Sequence, residues 1–509
     1  MRGCCHWLGF VLWTCVGWGL IGCEPEEPAV HFTCAEGQRP NVVLISVDTL
    51  RPDHLGCYGY RRDTSPNIDG LAAEGALFEN TVSSTSWTLP AHAALFTGLV
   101  DTVHGCLDTN RPLSHTATTV AEVLRSAGYA TAGFFSGPYL HPVFGLGQGF
   151  DVYVDCSSYP ELNESEAART GAADGAAVWR ASHADVTGPN VYREVRSWLR
   201  SNRQTPFFLF VHLWDVHYDF VPPPPYDRMF DPDYTGSVTG RDFLMDASVN
   251  ASMDRRDIEH LIALYDGEIA WTDLHVGKIL ADIDALGVRD CTAVVLLADH
   301  GIEFFEHGLK AHRHTLYDEV IRIPLIVRYP GRVTPGRRYA TQVRMIDVAP
   351  TILDLCGLEV GSGMMGQRLT PLFAGQPLEE DNLAVAELVT NAGQLTSDGR
   401  WAAPDPRFPI RHRLQAFRRL DHKVIVDANR GQFQVFNLRT DPGERLAARS
   451  PASPAAQTAL GDMARGRAWL ESCRSSLSSA APASEIPPKV REKLRSLGYI
   501  NDDEQTDDR

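Results

Sequence analysis

Three short segments of the chain contain side chains that could activate a hydroxyl group for attack on an ester. Asp48 ends one apolar run, Asp299 and His300 end another, and Thr88 stands at the predicted start of a helix. Carboxylate, imidazole and hydroxyl groups together suit a hard or borderline divalent cation. Such a cation lowers the pKa of a hydroxyl group and stabilises negative charge on the ester oxygens. These residue types therefore suit a metal site at which a hydroxyl group attacks an ester.

These side chains need a scaffold that brings strand ends and a helix start together. The continuous apolar runs 41–47, 206–213 and 293–298 are typical of strands buried on both faces of a mostly parallel sheet. Each run ends in polar residues, and open α/β sheets place ligand sites at the carboxyl ends of their strands. Apolar residues at helical spacing in 118–127 and 258–286 predict helices between the strands. The predicted fold is a layered α/β/α sandwich around a large, mostly parallel sheet.

Changes in composition divide the chain into five parts. We assign 1–22 to a signal peptide, 23–40 to a linker, 41–375 to the catalytic domain, 376–447 to a C-terminal subdomain and 448–509 to an Ala/Ser/Pro-rich and acidic tail. Short alternating apolar runs in the fourth part predict a small antiparallel sheet. The fifth part is expected to hold at most one helix, over 460–473.

The overall charge narrows the class of partner. The 509-residue chain has a formal net charge of −17, whereas a nucleic-acid-binding protein needs a basic face. Nucleic acid is therefore not expected as a partner. An anionic substrate must meet a local positive site, which a cation and histidines could provide.

The N-terminus has the features of an export signal. Arg2 precedes an apolar run over 7–21 that is short for a membrane-spanning helix. The following Leu-Ile-Gly-Cys sequence, ending at Cys23, resembles a bacterial lipoprotein box and predicts a lipid anchor on that thiol. Glu24 favours the outer membrane. We therefore predict an exported, membrane-anchored lipoprotein on the periplasmic or outer-membrane side, with an uncleaved anchor or an ordinary signal peptide as the alternatives.

The cysteines do not indicate a metal-thiolate site. Four of the eleven lie in the leader, and the other seven show no CxxC spacing. An exported compartment allows one or two disulfides among them, whose pairing the sequence leaves open.

The segment around Thr88 resembles the signature of the sulfatases. In that signature a Cys or Ser nucleophile is followed by Pro, Ser and Arg, and by a helical turn that ends in Leu-x-Thr-Gly. Here Pro90 and the Leu-x-Thr-Gly end match, whereas Thr88, Ala91 and His92 replace the nucleophile, the serine and the arginine. The sulfatase nucleophile is oxidised to an aldehyde, but the β-carbon of Thr88 already bears a methyl group. No formylglycine is expected, and a plain alkoxide is left to attack.

Further blocks extend the resemblance over about 41–446. The segments 48–59, 299–301, 320–327, 347–351 and 437–444 are similar to family motifs. On these motifs the chain is identified as a member of the sulfatase branch of the alkaline-phosphatase-like superfamily. The resemblance implies one divalent cation held by Asp48, Thr88, Asp299 and His300. Because Thr49 stands where the family has a second aspartate, zinc or manganese is favoured, with calcium or magnesium still open.

Several histidines are candidates for catalytic roles by the same resemblance. His104 would orient or deprotonate the nucleophile, and His217 would contact the transferred group or protonate the leaving oxygen. The ester-binding position falls among Lys310, His312, Arg313 and His314. A second metal is conceivable if Asp215, His217 and His314 converge. His92 would face the nucleophile without supplying the fixed charge of the arginine that it replaces. The Lys-x-His motif of the family is absent.

The predicted function is metal-dependent hydrolysis of a sulfate or phosphate ester on a glycan, a lipid or a small molecule. A phosphate monoester or diester suits Thr88 better, because water can attack phosphothreonine in line, whereas sulfatases release sulfate by collapse of an aldehyde hydrate. Two alternatives stay open. One is transfer of a phospho-headgroup to a lipid or glycan, and the other is a catalytically idle envelope lipoprotein that binds an anion or a glycan. Retention of Asp48, Thr88, Asp299 and His300 argues against the second.

Overall fold

The fold is taken from a computed structural model. It describes residues 39–108, 111–157, 186–202, 206–378, 382–390, 412–447 and 453–476. The predicted signal peptide, Cys23 and nearly all of the linker lie outside the described residues, as does the acidic end of the tail.

An eight-stranded sheet forms the centre of the fold. The first ten strands are β1 (Asn41–Val47), β2 (Ala76–Val82), β3 (Ala130–Phe135), β4 (Val152–Asp155), β5 (Phe207–Leu213), β6 (Thr292–Ala298), β7 (Glu303–Phe304), β8 (Lys310–Ala311), β9 (Arg322–Arg328) and β10 (Arg337–Arg344). The sheet has the order β10-β2-β9-β6-β1-β5-β3-β4, while β7 and β8 pair separately. Only β9 runs antiparallel to its neighbours in this sheet. The prediction of a large, mostly parallel sheet is confirmed.

The three predicted central strands are adjacent in the sheet. β1 pairs in parallel with β5 on one side and with β6 on the other. Every residue of these three strands is buried, as expected of strands covered on both faces. Their carboxyl ends therefore lie side by side at one edge, where Asp48 and Asp299 follow paired residues of β1 and β6.

Helices pack in two groups against this sheet. The helices are α1 (Pro66–Glu74), α2 (Thr88–Thr97), α3 (Asp101–His104), α4 (Val120–Ser126), α5 (Gly188–Asn202), α6 (Arg255–Ala285), α7 (Asp318–Ile321), α8 (Val348–Leu355), α9 (Thr370–Phe373) and α10 (Pro454–Ser476). α1 and α5 pack on α6, whereas α2 and α4 pack on α8. The predicted helices correspond to α4 and α6, whose starts are set by a capping box of Thr119 with Glu122 and by the Asp254 cap.

A small antiparallel sheet follows the large one. Its strands β11 (Ala384–Thr390), β12 (His412–Arg418), β13 (His422–Asp427) and β14 (Phe433–Asn437) lie in chain order. This confirms the predicted C-terminal antiparallel unit. The backbone N–H of Glu387 donates to the carbonyl of Ser84 at 2.7 Å, so β11 supports the segment that leads into α2. The helix α10 packs on β12, β13 and β14 and is longer than the expected 460–473.

Two features bear on the export hypothesis without deciding it. Across the part of the chain that the structure describes, no helix has the length and apolar character needed to cross a membrane. Cys291 forms a disulfide, while Cys57, Cys106, Cys156 and Cys356 are free thiols.

Candidate active site

Thr88 is the first residue of α2. The preceding residue, Trp87, is extended, with φ of −150° and ψ of 134°, and Pro90 occupies the first helical turn. The Thr88 side chain is buried, and its Oγ1 atom donates to Asp48 Oδ2 at 3.4 Å and lies 3.2 Å from His300 Nε2. The hydroxyl group therefore lies at the positive end of a ten-residue helix, beside a carboxylate and an imidazole.

Asp299 and His300 are oriented by the turn that follows β6. Asp299 Oδ1 accepts from the backbone N–H groups of His300 at 2.8 Å and Thr49 at 3.3 Å. The Nδ1 atom of His300 lies 2.9 Å from the carbonyl oxygen of Gly301, which can only accept. Nδ1 must therefore bear the ring proton. This leaves the lone pair on Nε2, which lies 3.4 Å from Asp299 Oδ2 and 3.9 Å from Asp48 Oδ1.

These donors fit a divalent cation. One atom from each of Asp48, Asp299 and His300 lies within 4.8 Å of the others. Asp48 Oδ1 and Asp299 Oδ2 are buried and have no hydrogen-bond partner among the described residues. Burial raises the pKa of Asp48 to about 7 and also raises that of Asp299, whose neighbour Asp48 adds to the effect. Two buried, incompletely paired carboxylates are unfavourable without a positive charge between them, and a divalent cation would supply it.

Thr49, which replaces an aspartate of the family motif, turns away from this cluster. Its Oγ1 atom donates to the carbonyl of Val216 at 3.0 Å, and its carbonyl accepts from the hydroxyl of Tyr265 at 2.8 Å. Its φ of 53° is left-handed, a conformation that costs energy for a β-branched residue. The Thr49 side chain is therefore bonded to the loop after β5 rather than directed at the carboxylates.

His92 lies in α2, one helical turn after Thr88. Its Nδ1 atom lies 2.8 Å from the Thr88 carbonyl oxygen, and its Nε2 atom lies 3.0 Å from Ser46 Oγ. Burial lowers the pKa of His92 to about 3, so the ring is neutral. His92 thus connects the first turn of α2 to β1 by hydrogen bonds, and it adds no permanent charge.

His212 belongs to this cluster, although the sequence did not single it out. It lies in β5 opposite Ser46, and its Nε2 atom is 3.4 Å from Asp48 Oδ2. With His92 and Asp299 it forms a second group of metal-ligand type. The available signal was a single polar residue within an otherwise apolar buried strand, which normally has a structural explanation.

His217 and His312 form a pair beside the cluster. Their Nε2 atoms lie 3.0 Å apart, and the His312 ring centroid lies 4.4 Å from that of His300. His217 stacks on Trp214 with the ring centroids 3.8 Å apart. Burial holds the pKa of His312 well below its usual value, with the neighbouring His300 and His217 acting in the same direction. The pair therefore lies next to His300, whose Nε2 atom is 3.2 Å from the Thr88 hydroxyl.

His104 and Lys310, which are also candidates from the sequence, contact other parts of the fold. The Nε2 atom of His104 in α3 lies 3.4 Å from Asp101 Oδ1, and its Nδ1 atom accepts a hydrogen bond from the backbone N–H of Cys106. Lys310 donates to the carbonyls of Asp246 at 2.9 Å and Val249 at 2.7 Å.

The remaining candidates lie near the loop after β8. Arg313 stacks on Trp87 with its guanidinium carbon 4.0 Å from the ring centroid, and burial lowers the pKa of His314 to about 4. Asp215 accepts two hydrogen bonds from Thr187. Within the described ranges, Asp215, His217 and His314 do not form a group of metal-ligand type.

A large, mostly parallel sheet with a polar cluster at its strand ends is the architecture of the alkaline-phosphatase-like superfamily. A model of the sulfatase family matches residues 40–358, well over half of the chain. The chain therefore belongs to the sulfatase family, and it is an ester hydrolase.

Individual relatives agree with this assignment. The chain is 26% identical over 389 residues to an ulvan-active sulfatase of Formosa agariphila, covering 73% of this chain and 72% of that protein. It is 23% identical over 484 residues to an N-acetylglucosamine-6-O-sulfatase of Bacteroides thetaiotaomicron, covering 80% and 82%. The structure of a phosphonate monoester hydrolase of Agrobacterium radiobacter aligns with a TM-score of 0.66 and 21% identity, covering 86% and 96%, and shows a shared fold.

Proposed function

We propose that this protein hydrolyses phosphate or sulfate esters through a covalent intermediate on Thr88, with phosphate esters as the better substrates. The observation that supports this most directly is the position of the Thr88 hydroxyl. It is buried at the start of α2, 3.4 Å from Asp48 Oδ2 and 3.2 Å from His300 Nε2. A hydroxyl that serves only the fold would be expected to donate to a backbone carbonyl, as Thr97 does to Ala93.

Attack on the ester begins at Thr88 Oγ1. The Thr88 hydroxyl donates toward Asp48 Oδ2, so this carboxylate is placed to accept its proton. Asp48, Thr88, Asp299 and His300 would hold a divalent cation, which would lower the pKa of the hydroxyl and stabilise charge on the ester oxygens. The positive end of the α2 dipole would add to this stabilisation.

The His217 and His312 pair supplies the proton for the leaving group. A bond forms from Oγ1 to the phosphorus atom while the bond from phosphorus to the leaving oxygen breaks. The leaving oxygen takes a proton from this pair, whose Nε2 atoms lie 3.0 Å apart. Burial lowers the pKa of His312, so the pair would need the negative charge of the bound ester to hold this proton. Water then attacks the phosphothreonine, which releases phosphate and restores the hydroxyl group.

Phosphate is favoured over sulfate by the chemistry of a plain hydroxyl nucleophile. A sulfated threonine must be cleaved by water at sulfur, because the methyl group on its β-carbon excludes the aldehyde hydrate that sulfatases use. A phosphorylated threonine is open to in-line attack by water. The relatives are named for an ulvan and for an N-acetylglucosamine sulfate, so an anionic glycan is the substrate body that we propose. An acceptor hydroxyl in place of water would make the same site a transferase.

We further propose that the protein works outside the cytoplasm, anchored through an acylated Cys23. The Leu-Ile-Gly-Cys sequence and the apolar run before it support this location. Such an anchor would hold the enzyme at an envelope surface where glycan esters are accessible.

The experiment compares Thr88→Ala and Thr88→Ser with the wild type on aryl phosphate, aryl phosphodiester and aryl sulfate substrates. Thr88→Ala should reduce kcat/KM by a factor on the order of 10³–10⁶, because the nucleophile is removed. Thr88→Ser should stay active. Rapid acid quenching followed by mass spectrometry should find phosphate on Thr88.

The matched control is Thr97→Val, which removes a buried hydroxyl from the other end of α2. It should leave kcat/KM close to the wild-type value. A Thr88→Ala protein with wild-type rates on the preferred substrate would exclude covalent catalysis. A product joined to an added alcohol or glycan acceptor, with no net hydrolysis, would identify the transferase.

A further inference from the structure

The orientation of His212 in β5 is not explained by the ligands assigned so far. Its ring is fully buried, and its Nε2 atom has no hydrogen-bond partner among the described residues. The same atom lies 3.4 Å from Asp48 Oδ2. It also belongs to a group with Asp299, whose donor atoms lie within 4.8 Å of one another. An imidazole nitrogen therefore faces the two carboxylates of the site.

The tautomer of His212 makes this arrangement informative. Its Nδ1 atom lies 2.7 Å from the carbonyl oxygen of Ser136, which can only accept a hydrogen bond. Nδ1 must therefore hold the ring proton, and Nε2 presents a lone pair. A lone pair 3.4 Å from a carboxylate oxygen is repulsive unless a cation or a proton lies between them.

His300 is oriented in the same way from the turn after β6, on the other side of β1. Its Nδ1 atom donates to the Gly301 carbonyl, and its Nε2 lone pair is directed at Asp299 and Thr88. Donation of one ring N–H to a backbone carbonyl, with the other nitrogen free, is the usual arrangement of a histidine that binds a metal. The two rings approach the carboxylates from β5 and from the turn after β6.

His92, the third histidine nearby, does not share this feature. Its Nδ1 atom donates to the Thr88 carbonyl at 2.8 Å, and its Nε2 atom accepts from Ser46 Oγ at 3.0 Å. Both ring nitrogens are thus occupied by the fold. The group His92, His212 and Asp299 therefore does not provide an independent second metal site.

We propose that His212 is a ligand of the active-site cation, so that Asp48, Thr88, His212, Asp299 and His300 form one donor set. This inference rests on the proposed function, because it extends the same site. The imidazole from β5 occupies the role left by Thr49, whose side chain turns to Val216. The donor set contains two neutral nitrogens and two carboxylates. Such a set favours zinc, manganese or iron over calcium, which prefers oxygen donors.

The test counts imidazole ligands in the purified full-length protein. Zinc-loaded wild type should show two imidazoles in the extended X-ray absorption fine structure at the zinc edge. His212→Leu should show one, and its zinc affinity in a chelator competition should fall by about 100-fold or more. That loss would exceed or match the 10- to 100-fold effect of removing an outer hydrogen-bond partner. His212→Asn repeats the measurement if the leucine variant folds poorly, as judged by circular dichroism.

The matched control is His275→Leu in α6. His275 also has its Nδ1 atom at a backbone carbonyl, that of Trp271 at 2.9 Å, and its buried Nε2 atom has no hydrogen-bond partner in the described part of the chain. This control should keep two imidazoles and the wild-type zinc affinity. It separates the loss of a ligand from the general cost of deleting a buried histidine.

The outcomes separate this inference from the proposed function. One imidazole in the wild type, or a His212→Leu protein with the affinity of the His275→Leu control, would overturn the role of His212. The proposed function would survive either result if Thr88→Ala still abolished turnover. A Thr88→Ala protein with wild-type turnover would instead overturn the proposed function, and two imidazoles could still be counted in it.

Discussion

The Nε2 atoms of His217 and His312 lie 3.0 Å apart, and each ring turns its Nδ1 atom toward a backbone carbonyl. These carbonyls belong to Tyr218 at 2.8 Å and Ser86 at 3.3 Å. Because carbonyl oxygens only accept, two neutral rings in this arrangement would bring two lone pairs together. A proton shared between the Nε2 atoms would resolve the conflict once an anionic ester is bound beside them, and the pair would then act as one acid.

The first prediction is that His217→Asn and His312→Asn slow hydrolysis most for poor leaving groups. Each variant should lose about 10²–10⁴-fold in kcat with an alkyl phosphate and much less with a nitrophenyl phosphate, whose leaving oxygen needs no proton. The double variant should be no slower than the slower single variant, because the two residues act as a unit. A series of phenyl phosphates of graded leaving-group pKa measures this. Equal losses across the series would contradict the acid role.

The second prediction concerns His92, which we interpret as a positioning residue. His92→Phe removes the hydrogen bonds to the Thr88 carbonyl and to Ser46, so the nucleophile loses its support. We expect kcat to fall by up to about 100-fold, with KM and bound metal unchanged. Ser46→Ala removes one of the two bonds and should have a smaller effect. Loss of metal from His92→Phe, measured by elemental analysis, would show that the ring is a ligand instead.

The third prediction tests whether Lys310 binds the ester or the loop over residues 246–249. Its ammonium group donates to the carbonyls of Asp246 and Val249 and lies 5.7 Å from the Phe243 ring centroid. Lys310→Met should therefore increase proteolysis of this loop while kcat on a small aryl phosphate changes less than about threefold, since a residue that does not touch the ester contributes little to its transition state. Arg313→Met is the comparison at the neighbouring cationic position. A large kcat loss in Lys310→Met with a protected loop would assign Lys310 to the substrate.

The fourth prediction concerns the contact between the helix α7 and the small antiparallel sheet. Asp318 in α7 pairs with Arg418 in β12 and Lys423 in β13, at 2.7 and 2.9 Å. Burial disfavours the charged carboxylate, but the two cations hold the pKa of Asp318 far below its usual value. Asp318→Asn leaves these buried cations incompletely paired, so the free energy of unfolding should fall by about 3–5 kcal/mol at pH 7.

The pH dependence of that deficit follows from the direction of the pKa shift. A carboxyl group with a lowered folded-state pKa stabilises the protein above its unfolded pKa of about 4, and this contribution is lost as the pH falls further. The deficit of Asp318→Asn should be constant from pH 7 to 5 and shrink below about pH 4, as urea unfolding would show. Glu259→Gln, from an exposed pair with Arg255, should cost under about 1 kcal/mol. A deficit that grew on acidification would reject this account.

The fifth prediction is that the mature protein begins at an acylated Cys23. Mass spectrometry of the N-terminal peptide from native membranes should find the lipid on this thiol, and Cys23→Ser should release the protein from the membrane. Activity toward the aryl phosphate should be unchanged in the released protein. An unmodified N-terminus at another residue would remove the lipoprotein hypothesis.

Much of the candidate site was predictable because it lies at strand ends. Asp48, Asp299 and His300 each follow a buried apolar run, and parallel neighbours bring such ends to one edge of a sheet. Thr88 was singled out by the resemblance of its segment to the sulfatase signature, and Pro90 predicted the helix start at this position. These features depend on periodicity and short-range geometry, which the order of residues in the chain largely determines.

The role of His212 could not be predicted in this way. It stands in the middle of an apolar run, and only the parallel register that pairs it with Ser46 brings it beside Asp48. Lys310 and His312 are two residues apart, which would place them on one face of a regular strand. The positive φ of Ala311, 69°, breaks that alternation, so the lysine meets the 246–249 loop while the histidine meets His217.

The sequence by itself thus determined the α/β class, the strand ends that bear carboxylates and the hydroxyl at the start of a helix. The tertiary structure decided which nitrogen of each histidine is free, which polar atoms stay without a hydrogen-bond partner, and which cation faces which carboxylate. Most of those properties depend on contacts between residues more than 40 positions apart, such as Ser46 with His92 and Thr88 with His300. The ring protons of His300 and His217 are exceptions, because they face the carbonyls of the adjacent residues. Side-chain chemistry is local in the chain, whereas hydrogen-bond partnership and burial exist only once the strands and helices have packed.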